Sequence, residues 1–253
     1  DRRQRQMCIR DRYRDHFGVK PLYYSVTDDG TLVFASEIKG LLYYPGIRPV
    51  IDARGLCEVF GIGPSKTPGC GVFQNIDEVK PGHFMKFSPY GMTDFTYYRI
   101  TSNPHTDSYE DTVEKVRYLV KDSIERQIVS DVPVCTFLSG GIDSSIVSSV
   151  RAAKLKEQGK QLHTFSFDFK DNSIYFKSNA FQPEQDRPYV DMMVAHIGSD
   201  HTYLTCNYSD LADYLYRSVE SRDMPTMADV DSSLLYFCSL AVSYTHLTLP
   251  TIA

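Results

Sequence analysis

Residues 132–145 read "VPVCTFLSGGIDSS". A short apolar run ends at Ser139, two glycines follow, and a helical pattern starts at Ile142. Downstream, 162–169 and 201–206 have strand character. The stretches 186–197, 208–220 and 230–240 carry apolar residues at helical spacing. Strands alternating with helices at this interval predict an α/β fold whose parallel sheet is covered by helices. Ligands of such sheets bind at the carboxyl ends of the strands. The glycine loop lies at one of those ends.

The residue types of the loop suggest its chemistry. Gly140 and Gly141 let the backbone turn tightly and approach a ligand closely. Their N–H groups and the start of the following helix make a positive concavity suited to phosphate oxygens. Ser139, Ser144 and Ser145 add hydroxyl donors. Asp143 would repel a bare phosphate, so its presence predicts Mg2+ between carboxylate and phosphates. The pattern is neither GxxxxGK[ST] nor GxGxxG, and it holds no lysine. Transfer of a γ-phosphate by the first of those loops is therefore disfavoured. The plainer alternative is a serine–glycine helix entry with no ligand. The full pattern at a strand–helix junction weighs against it.

The rest of the chain bounds the function. It has 253 residues, 42% hydrophobic and 23% charged, with a net charge of −5. That length suits one or two domains. No basic stripe points to nucleic acid, and no apolar run reaches membrane-spanning length. No secretory signal pattern opens the sequence. Cysteines 8, 57, 70, 135, 206 and 238 show neither CxxC nor zinc spacing. They read as reduced thiols of a cytoplasmic protein. His196 and His201 are separated by a turn and read as ordinary residues.

Upstream of the loop, a helix is predicted over 109–129, with Ser108 and Asp111 as a capping-box variant. The polar stretch 101–107 reads as a linker between domains. In the front half, strands at 22–26 and 32–35 flank the turn Asp28-Asp29-Gly30. Ser36 is the expected cap of a helix carrying Ile38, Leu41 and Leu42. Asp52 is expected to cap a second helix that stops at Gly61. Two more strands surround Pro89-Tyr90-Gly91. Arg14, Asp15 and Lys20 near the first turn read as solvated or structural. No catalytic constellation is visible in this half.

The termini are unusual. Codons ATG-TGT-ATA-AGA-GAC spell Met7-Cys8-Ile9-Arg10-Asp11, and their reverse complement spells Val242-Ser243-Tyr244-Thr245-His246. The expectation is that 1–12 and 242–253 derive from an inverted DNA element resembling a sequencing adapter, and that they stand outside the fold.

SGGxDS after a strand resembles the pyrophosphatase loop of the N-type ATP pyrophosphatases. "RDHFGVKPLYY" with "FASEIKGLL" resembles the later part of a class II glutamine amidotransferase domain. "SDVPVCTFLSGGIDSS" resembles the start of the synthetase domain in the glutamine-hydrolysing asparagine synthetase family. The resemblance implies a partial N-terminal nucleophile (αββα) glutaminase domain over 13–100. A truncated parallel-sheet, adenine-nucleotide-binding synthetase domain of the PP-loop, HUP-like kind would follow over 108–241. It implies ATP and Mg2+, with aspartate and glutamine or ammonia as the other substrates. A homodimer is the expected assembly of the intact enzyme.

The resemblance carries Ser139, Gly140, Gly141, Asp143 and Ser144 onto the pyrophosphate loop, with Asp143 reaching the metal through phosphates. Phe137 and Phe167 fall where the family holds adenosine, plain core packing being the alternative. "DMPTMADVDSS" matches a segment near the aspartate pocket, with Thr226 and Asp229 as candidates. The family's N-terminal cysteine nucleophile is not matched, and neither is its later SGExxDE-type segment. The expectation is an interior fragment that neither hydrolyses glutamine nor makes asparagine alone. Two other readings stand beside it: a β-lactam synthetase-like adenylating enzyme, and a non-catalytic ATP-binding remnant.

Overall fold

The computed structural model of the chain describes residues 10–62, 65–131, 133–180, 182–224 and 233–240. Apart from the last residue, it divides into two compact units. The first takes 1–103 and 215–232, the second 104–214 and 233–252.

In the first unit the elements are β1 (Arg10–Tyr13), β2 (Tyr23–Val26), β3 (Leu32–Ala35), α1 (Ile38–Leu42), α2 (Ala53–Gly61), β4 (Asp77–Glu78), β5 (His83–Ser88) and β6 (Gly91–Thr96). They form two three-stranded antiparallel sheets, ordered β1-β5-β6 and β3-β2-β4. The β2–β3 hairpin closes where expected: Thr27 N–H bonds to Thr31 O at 3.0 Å, and Gly30 takes φ +80°. Ile38, Leu41, Ile47 and Ile76 make the core of this unit.

Three local expectations shift. The cap of α1 is Glu37, without a side-chain bond, rather than Ser36. Asp52 does cap α2, accepting from Gly55 N–H at 2.9 Å, but the helix includes Gly61 and ends at Ile62. Arg10–Arg12, expected to stand outside the fold as part of an adapter-like terminus, pair with Met85–Phe87 of β5.

Arg14 is buried and structural. Its guanidinium donates to the carbonyls of Val79 (2.6 Å), Gly18 (2.9 Å) and Lys20 (3.2 Å), and it lies 2.9 Å from the Glu78 carboxylate. Asp15 accepts from the N–H groups of Phe17, Val19 and Lys20. The RDHFG stretch is thus a turn knotted by its own charged side chains.

In the second unit come α3 (Tyr109–Gln127), β7 (Thr136–Phe137), α4 (Ile142–Glu157), β8 (His163–Phe169), α5 (Asn172–Tyr175), α6 (Arg187–Ile197), β9 (Asp200–Cys206), α7 (Tyr208–Arg222), which belongs here through Tyr214, and α8 (233–240). Ser108 caps α3: its Oγ accepts from Asp111 N–H at 3.1 Å and donates to the Asp111 carboxylate at 2.8 Å. Strands β7-β8-β9 form one parallel sheet in that order, as the alternating pattern predicts.

Strand β7 is shorter than the predicted 132–138, and residue 132 lies outside the described residues. Thr136 pairs with Thr164, the second residue of β8, so residues 133–134 have no strand beside them. Pro133 has no N–H to offer one. No helix among the described residues is long and apolar enough to cross a membrane.

Strand β8 has two contrasting faces. Phe165, Phe167 and Phe169 face one way. Phe165 packs with Leu204 and Cys238, and Phe167 sits edge-on to Phe169 and Phe237. Thr164, Ser166 and Asp168 face the other way and are all buried. Buried polar groups require partners, and these have them. Thr164 meets Ser199 at 2.9 Å and His201 Nδ1 at 2.8 Å. Ser166 donates to the Leu138 carbonyl, and Asp168 accepts from Arg187.

Candidate functional site

The carboxyl end of β7 runs directly into the loop. Leu138 is buried and continues the sheet, its N–H bonding to Phe165 O at 2.8 Å. The Ser166 bond to the Leu138 carbonyl pins the last residue before Ser139. Gly140 then takes φ +77°, a conformation that L side chains rarely adopt. Gly141, in extended conformation, is the N-cap of α4.

Hydroxyls hold the turn shut on itself. Ser144 Oγ accepts from Ser139 N–H at 3.2 Å, meets Ser139 Oγ at 3.0 Å and donates to Gly141 O at 3.1 Å. Gly141 N–H points to Ser139 Oγ at 3.4 Å. At the start of α4 the N–H groups of residues 142–144 have no intrahelical acceptor. Together with the helix dipole they give the loop a positive mouth. Asp143 stands exposed in the first turn.

Sequence reasoning therefore finds Ser139, Gly140, Gly141, Asp143 and Ser144 in one loop at the carboxyl end of the parallel sheet. Phe137 lies beside it, 42% exposed, and its register with Phe165 puts it on the same sheet face as Phe167. Phe167 is half-buried among other rings. Thr226 and Asp229 lie outside the described residues.

Other residues at this end were not singled out from sequence. Asp168, near the end of β8, is buried and accepts from Asn172 Nδ2 at 3.0 Å and from Arg187 Nη1 at 3.2 Å. The Arg187 guanidinium lies 4.2 Å over the Tyr203 ring. Tyr203 Oη donates to Asp191 at 2.6 Å, and burial together with that carboxylate pushes its phenol up to about 12. Burial, then the charge of Asp168, raises the Asp186 carboxyl above its usual range. The available signal was the alternation in "HTFSFDF", three phenylalanines interleaved with three polar residues.

Among the described residues, no group of three or more His, Cys, Asp or Glu side chains is arranged to hold a metal ion. A single exposed carboxylate beside a loop of free N–H groups is a different donor set. It suits magnesium arriving on phosphate oxygens, because that ion keeps most of its shell from water and substrate.

The family model described as "Asparagine synthase" matches residues 115–249, which include this loop, sheet and helix α4. The chain belongs to the asparagine synthase family. A second family model, "Glutamine amidotransferase domain", matches residues 1–98. Asparagine synthetase (glutamine-hydrolyzing) 3 of Bacillus subtilis (strain 168) is 46% identical over 89% of this chain and 37% of its own length. Asparagine synthetase (glutamine-hydrolyzing) of Homo sapiens is 24% identical over 85% of this chain and 36% of its own length. The chain thus spans about a third of the length of these curated relatives. Among solved structures, NAD+ synthetase from Burkholderia pseudomallei matches 56% of this chain and 60% of its own, at 15% identity and a TM-score of 0.30.

Proposed function

We propose that the second unit is the ATP-adenylating part of a glutamine-hydrolysing asparagine synthetase. The first unit would be part of its N-terminal nucleophile amidotransferase domain. The domains would be 13–100 and 108–241, joined by 101–107. Support comes from the Ser139–Ser144 loop at the carboxyl end of a parallel strand, together with the family match.

In this reading the β-carboxylate of aspartate attacks the α-phosphorus of ATP. The bond from that phosphorus to the bridging oxygen breaks, and pyrophosphate leaves with the electron pair. Ammonia released from glutamine then displaces AMP from β-aspartyl-AMP, giving asparagine.

The chain's own residues bind and orient. The N–H groups of residues 142–144 at the start of α4 would meet the negative charge that grows on the leaving group, and the hydroxyls of Ser139 and Ser144, bonded within the loop, would turn outward to join them. Gly140 brings the backbone close to the phosphates, and Asp143 would hold magnesium through them. That ion, when bound, neutralises charge on the phosphate oxygens. Phe137 and Phe167 would border the adenosine, and Thr226 and Asp229 the aspartate.

Calorimetric titration of the chain with MgATP and with magnesium pyrophosphate tests the loop. Both should bind, and Gly140→Ala should abolish both. Failure of either ligand to bind, or binding indifferent to Gly140→Ala, overturns the reading.

A further inference from the structure

We infer that Arg187 is a phosphate-contacting residue of this site, the side-chain cation that the loop itself lacks. The inference rests on the loop reading above and adds a residue that the SGGxDS pattern does not contain.

The loop between Ser139 and Ser145 holds a carboxylate and no cation. A departing pyrophosphate carries more negative charge than one magnesium ion offsets, so a further positive group nearby would help. Arg187 stands in the right part of the fold. Gly140 is pressed against the first turn of α6. A Cβ added to it would lie 2.7 Å from Tyr189 Cβ, 3.1 Å from Asp186 O and 3.2 Å from Val190 N. Arg187 belongs to that same turn.

The sheet gives a second route to the same place. Ser166 binds the carbonyl of Leu138, immediately before the loop. Asp168 is the next residue on that face of β8, about 7 Å further toward the carboxyl end. The guanidinium is docked on Asp168. It therefore sits beyond the Leu138 carbonyl on the face that α6 covers.

The fork is held rather than loose. Asp168 takes Nη1 at 3.2 Å, the Tyr203 ring centroid lies 4.2 Å from the guanidinium carbon, and Asp191 fixes Tyr203 through its hydroxyl at 2.6 Å. Yet the side chain stays 53% exposed, and its one hydrogen bond among the described residues is to Asp168. A half-exposed fork held over an aromatic ring keeps donors free for a planar, bidentate contact with phosphate oxygens. Holding it in advance lowers the ordering cost on binding.

The test compares the wild-type chain with Arg187→Gln and Arg187→Lys. It measures MgATP and magnesium pyrophosphate binding by calorimetry at two salt concentrations, with thermal unfolding alongside. Arg187→Gln should weaken both ligands about tenfold or more and flatten the salt dependence. Arg187→Lys should recover part of the affinity. A lowered melting temperature with unchanged affinity and salt dependence would assign Arg187 to Asp168 alone and overturn the inference, leaving the loop reading intact. Wild-type chain that binds neither ligand overturns both.

Discussion

Gly140 and Tyr189 are packed so closely that a β-carbon on the glycine would lie 2.7 Å from the tyrosine's own Cβ. The glycine also sits at φ +77°. Strand β7, the loop and helix α6 therefore meet at one backbone position. Gly140→Ala should cost about 1–3 kcal/mol from the backbone conformation alone and displace the loop from α6. Gly141 has negative φ, and its added Cβ would meet only Ser139 Oγ, at 3.4 Å. Gly141→Ala should lose about 1 kcal/mol or less, as a poorer N-cap. Denaturant unfolding of the two variants reads the difference.

Ser144 Oγ bridges Ser139 N–H, Ser139 Oγ and Gly141 O. Ser144→Ala should cost about 1 kcal/mol of stability but a larger share of ligand affinity, because the loop loses its closed shape. Calorimetry with MgATP and a melting curve on the same sample separate the two losses.

The first unit depends on Arg14. Arg14→Met would leave the carbonyls of Gly18, Lys20 and Val79 without their donor and Glu78 with Lys66, 3.3 Å away, as its ion-pair partner. Removing one partner of a buried ion pair costs about 3–5 kcal/mol. Arg14→Lys should rescue little, since one ammonium cannot reproduce the fork. Urea titration of both variants checks this.

His201 predicts a pH dependence in the second unit. Its Nδ1 meets Thr164 Oγ1 at 2.8 Å, and its Nε2 is buried with no hydrogen-bond partner among the described residues. Burial pulls the imidazole below its usual 6.5. His163 and Arg187 push the same way, while Asp191 and Asp200 oppose them. Between the folded and unfolded values the unfolded chain binds more protons, so stability rises with pH there. The contribution is whole above 6.5 and is lost as pH falls toward the folded value. His201→Asn should flatten the urea midpoint between pH 7.5 and about 5.5 relative to wild type.

The loop was legible because its information is local. Strand, glycine turn, capping position and helix follow one another within ten residues, and each step is a short-range preference. The same holds for the β2–β3 hairpin at Asp28-Asp29-Gly30 and for Ser108 and Asp52 as caps. Ser36 misled because the chain stays extended through Glu37, one residue further than the hydroxyl suggested. Strand β7 was overestimated because its length depends on where β8 begins, which 132–138 cannot encode.

What the sequence by itself determined is the alternation of strands and helices, the serine–glycine loop after β7, and a front half of hairpins and short helices. Those follow from periodicity, glycine and capping chemistry, all acting over a few residues. Only the tertiary structure decided that Arg14 is buried on carbonyls from two separate segments, Gly18 and Lys20 of its own turn and Val79 far along the chain. It also decided that Asp168, Arg187 and Tyr203 stand together at the end of the sheet. These residues come from β8, α6 and β9, and parallel register joins them across gaps of 16 and 19 positions. A buried carboxylate needs a cation and a cation needs a platform, but which ones it meets is fixed only when the strands pair.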